Sequence, residues 1–283
     1  MLMGPAVFGA AASQINSLVD SLFASFLPVG SISCLYFADR LMEFPLGVFG
    51  IGIATVLLPS LAREHALEQK EKFAEKLDWG VRSILLISIP STCGLYILAE
   101  PLIVTLFHSG KFSMNDVIMT KQCLMAYSVA VIGIMLSKVL ASAFYAVQNI
   151  KTPVKISFVV ISCNIIFNVL LIRHFAHVGI ATATSLASTI NAVLLLVILH
   201  KRGIYKLKLE SLNFIGRVIL ASTLFVGILY FINPTIDVWM EWGAITRVLV
   251  LSPLVLLAIL VYGLSLFVTG LRPSHIFKKE LSL

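Results

Sequence analysis

The chain has 283 residues, of which 59% are hydrophobic and 12% charged, and its mean hydropathy is +0.98. Soluble domains carry about 25% charged residues, so a water-soluble globular fold is excluded and lipid is the expected solvent. The net charge of +7 would suit a nucleic-acid partner, but the basic residues are distributed as membrane topology demands, and no nucleic acid is expected.

A helix needs roughly 20 mostly apolar residues to cross a bilayer. Eight stretches qualify: 4–27, 32–61, 77–98, 117–146, 154–172, 178–200, 214–231 and 244–269. They are continuously apolar rather than alternating, which argues against an outer-membrane barrel. The expected class is all-α, a polytopic membrane helix bundle. With the N-terminus inside, fifteen of the 21 Lys and Arg fall on the cytoplasmic side, among them Arg63, Lys151, Lys201, Lys208, Arg272, Lys278 and Lys279. Lys111, Lys121, Arg173 and Arg247 fall outside. This positive-inside split predicts cytoplasmic N- and C-termini.

The first span contains "AVFGAAAS", which looks cleavable but lacks the basic region that a signal peptide carries before it. The same lack of basic flanks makes the first helix begin abruptly. The second span holds "YFADRLMEFP" (36–45), with three charges in an apolar setting. Pro45, Pro59 and Pro90 are expected to punctuate helices, with a kink beside the charges at Pro45. The polar segment 63–80 predicts a linker helix near 63–77, lying along the cytoplasmic interface or solvated. A second polar segment, 200–210, is the best boundary. It divides a six-helix lobe (1–203) from a terminal two-helix hairpin and cytoplasmic tail (204–283). The four cysteines are far apart and read as packing thiols. His174 and His177 have no acidic or thiol partner nearby, so neither is read as a metal ligand.

On a helix, Asp39, Arg40 and Glu43 project over neighbouring parts of one face, with Tyr36 a turn earlier. A charge at mid-helix in lipid costs roughly 2.5–3.5 kcal/mol, so three facing lipid would rival a domain's net stability. They therefore face the bundle interior, as an internal salt bridge or as the wall of a wet cavity. In the second case Arg40 suits a phosphate, because its planar fork donates two bonds and its charge persists. Lys138 either joins that cavity or snorkels along its helix. Asp20, Asn164, Asn168 and Thr184 offer only oxygen ligands with one carboxylate between them, which suits a hard monovalent cation. Taken alone, their chemistry is better explained by interhelical hydrogen bonding.

Four stretches carry a resemblance: "MGPAVFGAAASQINSLVDSLFASFL", "YFADRLMEFPLGVFGIGIATVLLPSLA", "LFHSGKF" and "SAFYAVQNIKTPVKIS". The chain resembles the MurJ/MviN lipid II flippases of the MOP exporter superfamily over essentially its whole length. That resemblance implies a six-helix MOP-type lobe followed by a two-helix hairpin, equivalent to the seventh to fourteenth helices of the family. A first lobe would be absent from this sequence or separately encoded. It further implies that Arg40 matches a cavity arginine, with Asp39 beside it and Glu43 in the same motif. A sodium site of Asp20, Asn164, Asn168 and Thr184, with the Ile180 carbonyl, is implied in the same way. The family carries an acid where Asn168 stands, which implies weaker binding here.

The expected function is flipping of a polyprenyl-pyrophosphate-linked peptidoglycan precursor (lipid II) across the bacterial inner membrane by alternating access. Na⁺ is the candidate coupling ion, and neither a cofactor nor catalysis is expected. The alternatives are an exporter of another polyprenyl-linked saccharide or of cationic drugs, and an incomplete lobe inactive without its partner. A membrane enzyme ranks last, because no nucleophile–base pair or metal cluster is evident.

Overall fold

A computed structural model describes residues 3–206 and 209–270, with side chains from residue 14 onward except around 207–209. Lys208, Arg272, Lys278 and Lys279, counted above as cytoplasmic, lie outside the described residues, as does the expected tail. The described residues are helical and contain no strand: α1 (Met3–Ala24), α2 (Ser31–Pro45), α3 (Ile51–Ala66), α4 (Lys70–Ile97), α5 (Ala99–Phe107), α6 (Met114–Ala146), α7 (Lys151–Lys201), α8 (Leu209–Ile232), α9 (Ile236–Glu241) and α10 (Ala244–Val268). Among the described residues, six helices are long and apolar enough to cross a membrane: Ser31–Ala66, Lys70–Ile97, Met114–Ala146, Lys151–Lys201, Glu210–Ile232 and Ala244–Val268.

Helix α7 is two spans. Its helical geometry breaks at Ala176 (φ 47°, ψ −125°), and Asn164 Nδ2 comes to 3.4 Å from Thr184 Oγ1. Twenty residues of straight helix would separate those atoms by about 30 Å, so the arms before and after Ala176 run antiparallel. This reproduces the expected pair 154–172 and 178–200. Gly179 makes the close return feasible, since a Cβ there would lie 2.6 Å from the Leu171 carbonyl oxygen. Ala176 itself holds a backbone conformation that an L side chain disfavours.

The kink expected beside the charges is a π-turn over Leu46–Gly50, in which the Ile51 N–H donates to the Leu46 carbonyl five residues back. Pro45 lacks an N–H and its ring crowds the preceding turn, which explains the wide turn directly after it. Pro59 and Pro90, by contrast, sit inside α3 and α4 and leave both helical.

The linker helix expected near 63–77 is not a separate element. Helix α3 runs to Ala66, a short turn with Glu68 at φ 56° follows, and α4 begins at Lys70 and continues to Ile97. Phe73 and Leu77 are buried, so the segment joins the core instead of lying on an interface. Lys76 Nζ and Glu64 Oε1, 2.8 Å apart, clamp the turn.

Helix α6 is the hub, with α2, α3, α4, α5 and α7 all packed on it. Its Gly133 lets the second arm of α7 approach: a Cβ there would meet the Ser188 carbonyl carbon at 2.7 Å. Helices α8 and α10 pack on one another and dock on α4 and α5. Tyr205 and Ser211 donate to Asp78 Oδ1 at 2.8 and 2.9 Å, and Arg82 Nε lies 2.7 Å from Asp78 Oδ2. Burial and the neighbouring Asp78 carboxylate push the Tyr205 hydroxyl above the ordinary phenol range, so it stays protonated and donating. On the far side, buried Arg247 donates to the carbonyls of Trp239 (2.9 Å), Met240 (3.1 Å), Val104 and His108 (both 3.2 Å). A cation satisfied by four carbonyls ties α10 to α9 and to the end of α5.

The hairpin in α7 makes a stability prediction of opposite signs. Gly179→Ala presses a methyl against the Leu171 carbonyl and lowers stability by about 1–3 kcal/mol. Ala176→Gly relieves a positive-φ alanine and raises it by about 1 kcal/mol. Thermal unfolding of the purified chain in detergent reads both, and shifts of the same sign would contradict the hairpin geometry.

Candidate functional site

A cavity of about 910 Å³ opens among α1, α2, the π-turn, α3, α6 and both arms of α7. All of the charged stretch faces it: Tyr36, Asp39, Arg40 and Glu43 are on its wall, and Lys138 joins them from α6. The helical spacing read from the sequence is the reason, since residues three and four apart share a face, while Cys34 and Ala38, which do not line the cavity, are buried and α2 packs on α6.

Arg40 Nη1 lies 2.6 Å from Glu43 Oε2, and its guanidinium sits over the Tyr36 ring, 5.0 Å from the centroid. The two side chains are 54% and 47% exposed, and both look into the cavity. A half-exposed pair of this kind contributes little to stability, so the arrangement is poor glue and well placed to exchange partners. Both the internal salt bridge and the cavity are therefore present, and the pair lies on the cavity wall. Asp39, half-buried beside them, makes no hydrogen bond with the described residues. Lys138 faces the cavity instead of snorkelling, and no described carboxylate lies within ion-pair distance of it.

The second constellation is brought together by the α7 hairpin and α1. Asn168 Nδ2 donates to Asp20 Oδ1 at 2.7 Å and Thr184 Oγ1 donates to Asp20 Oδ2 at 2.7 Å. Asn168 Nδ2 also reaches Asn164 Oδ1 at 3.1 Å. Asn164 and Asn168 are fully buried, and the Asn168 Oδ1 atom has no partner. Turning that amide over would bring a second unspent oxygen toward the Asp20 carboxylate. The donor set therefore fits a hard monovalent cation: one carboxylate, two amide oxygens and a hydroxyl. Ile180, the fifth expected ligand, is fully buried one turn before Thr184 and does not line the cavity. Among the described residues, no group of three or more His, Cys, Asp or Glu gathers as a metal site.

Several polar cavity residues were not singled out from sequence, among them Gln14, Asn16 and Ser17 on α1, and Asn191 on the second arm of α7. The signal that marks Asn164 and Asn168, a carboxamide inside an apolar span, marks three of these equally well.

The family described as "Lipid II flippase MurJ" matches residues 1–252. A probable lipid II flippase MurJ of Vibrio cholerae is 42% identical over 271 residues, covering 96% of this chain and 52% of the relative. Its Haemophilus influenzae counterpart is 42% identical over 285 residues, covering 99% and 56%. The lipid II flippase MurJ of Burkholderia cenocepacia is 34% identical over 276 residues, covering 96% and 53%. The chain thus spans about half the length of the curated relatives it matches. A solved lipid II flippase MurJ in an inward closed conformation superposes with a TM-score of 0.77 at 26% identity, over 96% of this chain and 52% of that one. A multidrug resistance MATE family transporter of the MOP superfamily, outward-facing, gives a TM-score of 0.59 at 19% identity, over 98% and 66%, a likeness of fold alone. With the family match running from residue 1 to 252 and the same helical architecture in the solved flippase, the chain belongs to the lipid II flippase MurJ family.

Proposed function

We propose that this chain supplies the second, substrate-handling lobe of a transporter that moves a lipid-linked peptidoglycan precursor across the bacterial inner membrane. The observation that carries the reading is a cavity of about 910 Å³ onto which both Arg40 and Lys138 open, in a chain of this family. The precursor's pyrophosphate is a doubly charged, fork-shaped acceptor, and Arg40 can give it two parallel bonds once Glu43 lets go. Lys138 adds a second, point-like cation. Glu43 occupies the guanidinium when no anion is present, which keeps Arg40 directed into the cavity and makes release of the cargo reversible. No bond is made or broken in such a movement, so the chemistry asked of the chain is binding and reorientation.

The partner of this lobe is a six-helix first lobe that closes the other side of the cavity and rocks against it. Cytoplasmic termini follow from the basic split between the two sides. Asp20, Asn164, Asn168 and Thr184 would hold Na⁺, and its entry down an inside-negative potential supplies about 2.3 kcal/mol per charge per 100 mV.

Two experiments test this. In a flippase-depleted bacterium, co-expression with the first six helices of a relative should rescue growth, Arg40→Ala should abolish rescue, and Lys138→Met should weaken it. Rescue undiminished by Arg40→Ala would refute the arginine's role. For the ion, Na⁺ at a hundredfold its dissociation constant should add about 2.7 kcal/mol to the stability of the purified chain, K⁺ should add far less, and Asp20→Asn should remove the difference. Equal stabilisation by Na⁺ and K⁺ in the unaltered chain would sink the sodium site.

A further inference from the structure

Between the charged face of α2 and the start of α3, the backbone changes its hydrogen-bond register twice in succession. The Leu46 N–H donates to the Glu43 carbonyl, three residues back, and the Ile51 N–H donates to the Leu46 carbonyl, five residues back. A tight turn is thus followed directly by a wide one, and Pro45 inside the first has no N–H to give. Just beyond, the Thr55 hydroxyl lies 2.8 Å from both the Ile51 and the Gly52 carbonyl oxygens, so its one proton can serve either. A tight turn within a helix often marks a hinge, and wide turns gather at functional positions.

Little packing holds this stretch. Of residues 46–52 only Gly50 is buried, and a Cβ there would meet the Leu46 and Met135 side chains at 3.1 and 3.4 Å. Met135, on α6, is an adaptable side chain to lean on. Gly47 and Gly52 have neither a positive φ nor a described atom within 4 Å of where a Cβ would stand. Neither a turn nor a close approach within this chain asks for glycine at those positions, and glycine weakens a helix interior relative to alanine. What it supplies is backbone freedom. The segments on either side differ in grip. Helix α3 is interlocked, with buried Leu57 filling the notch at Gly80 of α4, where a Cβ would lie 2.6 Å from its Cδ2. The buried residues of α2 away from the cavity wall are Ser31, Cys34, Ala38 and Pro45, all small, and small side chains make shallow ridges.

We propose that the paired turns over residues 43–51 are a hinge on which α2 tilts against a fixed α3, carrying Asp39, Arg40 and Glu43 with it. Gly50 is the pivot, resting on Met135. Exchange of the Ile51 N–H between the Leu46 and Gly47 carbonyls narrows or widens the turn as α2 moves. The charged face is thereby redirected without unpacking α3 from the core. The use of this movement in transport rests on the function proposed above; the hinge itself does not.

Backbone hydrogen exchange of the full chain in detergent, read by mass spectrometry, tests the hinge directly. Amides of residues 46–52 should exchange about tenfold faster than those of 54–61, as a locally opening segment does. Gly47→Ala combined with Gly52→Ala should bring them close to the α3 rate. The double variant should also raise the Tm, because both methyls meet open space and alanine favours helix. In the flippase-depleted bacterium supplied with a first lobe, this variant should lose rescue despite its greater stability. Gly227→Ala, at an equally open glycine of α8, should keep it. Equal exchange at 46–52 and 54–61 in the unaltered chain would overturn the hinge, as would undiminished rescue by a double variant whose exchange is slowed. Loss of rescue without slower exchange marks a clash with the first lobe and overturns it too. If the unaltered chain itself fails to rescue, the transport reading falls, and exchange alone still decides the hinge.

Discussion

Asp20 is the constraint on which the rest of the structure depends. A carboxylate packed against apolar helices must be satisfied within the protein, and here hydrogen bonds reach it from both arms of α7, Asn168 before the break at Ala176 and Thr184 after it. That requirement fixes three segments against one another. It holds α1 on α7, keeps the two arms antiparallel, and leaves the remaining polar face of α1 looking into the space between α7 and α2. The cavity is what remains once that network has closed.

The charged face of α2 obeys the same rule by a different route. Asp39, Arg40 and Glu43 do not form a sealed network; they are left open to the cavity. The π-turn after Pro45 is part of this arrangement, because it widens the helix next to the charges and carries the chain on into α3, whose Thr55 and Leu58 continue the wall. Polar groups of the bundle thus divide into those consumed by packing and those left facing the cavity, and among the described residues the hydrogen-bond partners tell the two apart. The terminal hairpin is anchored at both ends by buried polar clasps, Asp78 with Tyr205 and Ser211 at one and Arg247 with four carbonyls at the other. Its large apolar surface is thereby fixed to α4 and α5 without drawing on the cavity.

Much of this was legible in the sequence. Apolar runs of helix length give the spans, and the spacing of Asp39, Arg40 and Glu43 gives their shared face, because both follow from a local periodicity. The gathering of Asp20 with Asn164, Asn168 and Thr184 is different. It joins residues up to 164 positions apart; their oxygen-only side chains suggested it, and the family resemblance strengthened it. The break at Ala176 carries no Gly or Pro at the turning residue, and the nearest signal is Gly179, three positions on. The segment 63–77 reads as an amphipathic linker because its charges dominate, yet Phe73 and Leu77 are drawn into the core and α4 absorbs it. Lys138 could point along its helix or into the bundle with equal sense locally, and its direction is settled by the packing of α6 among five neighbours.

The central claim is that the charged face of α2 looks into water inside the membrane span. It is tested most directly by thiol accessibility in proteoliposomes, with Cys34, Cys93, Cys123 and Cys163 first replaced by alanine. Single cysteines would be placed at Tyr36 and Lys138 on the cavity wall, and at Ile166, which lies on the outer surface of the first arm of α7 and is 56% exposed. A charged, membrane-impermeant thiol reagent should modify Tyr36→Cys and Lys138→Cys and spare Ile166→Cys. Protection of both cavity positions, or labelling of Ile166→Cys at the same rate, would contradict an aqueous cavity at this site.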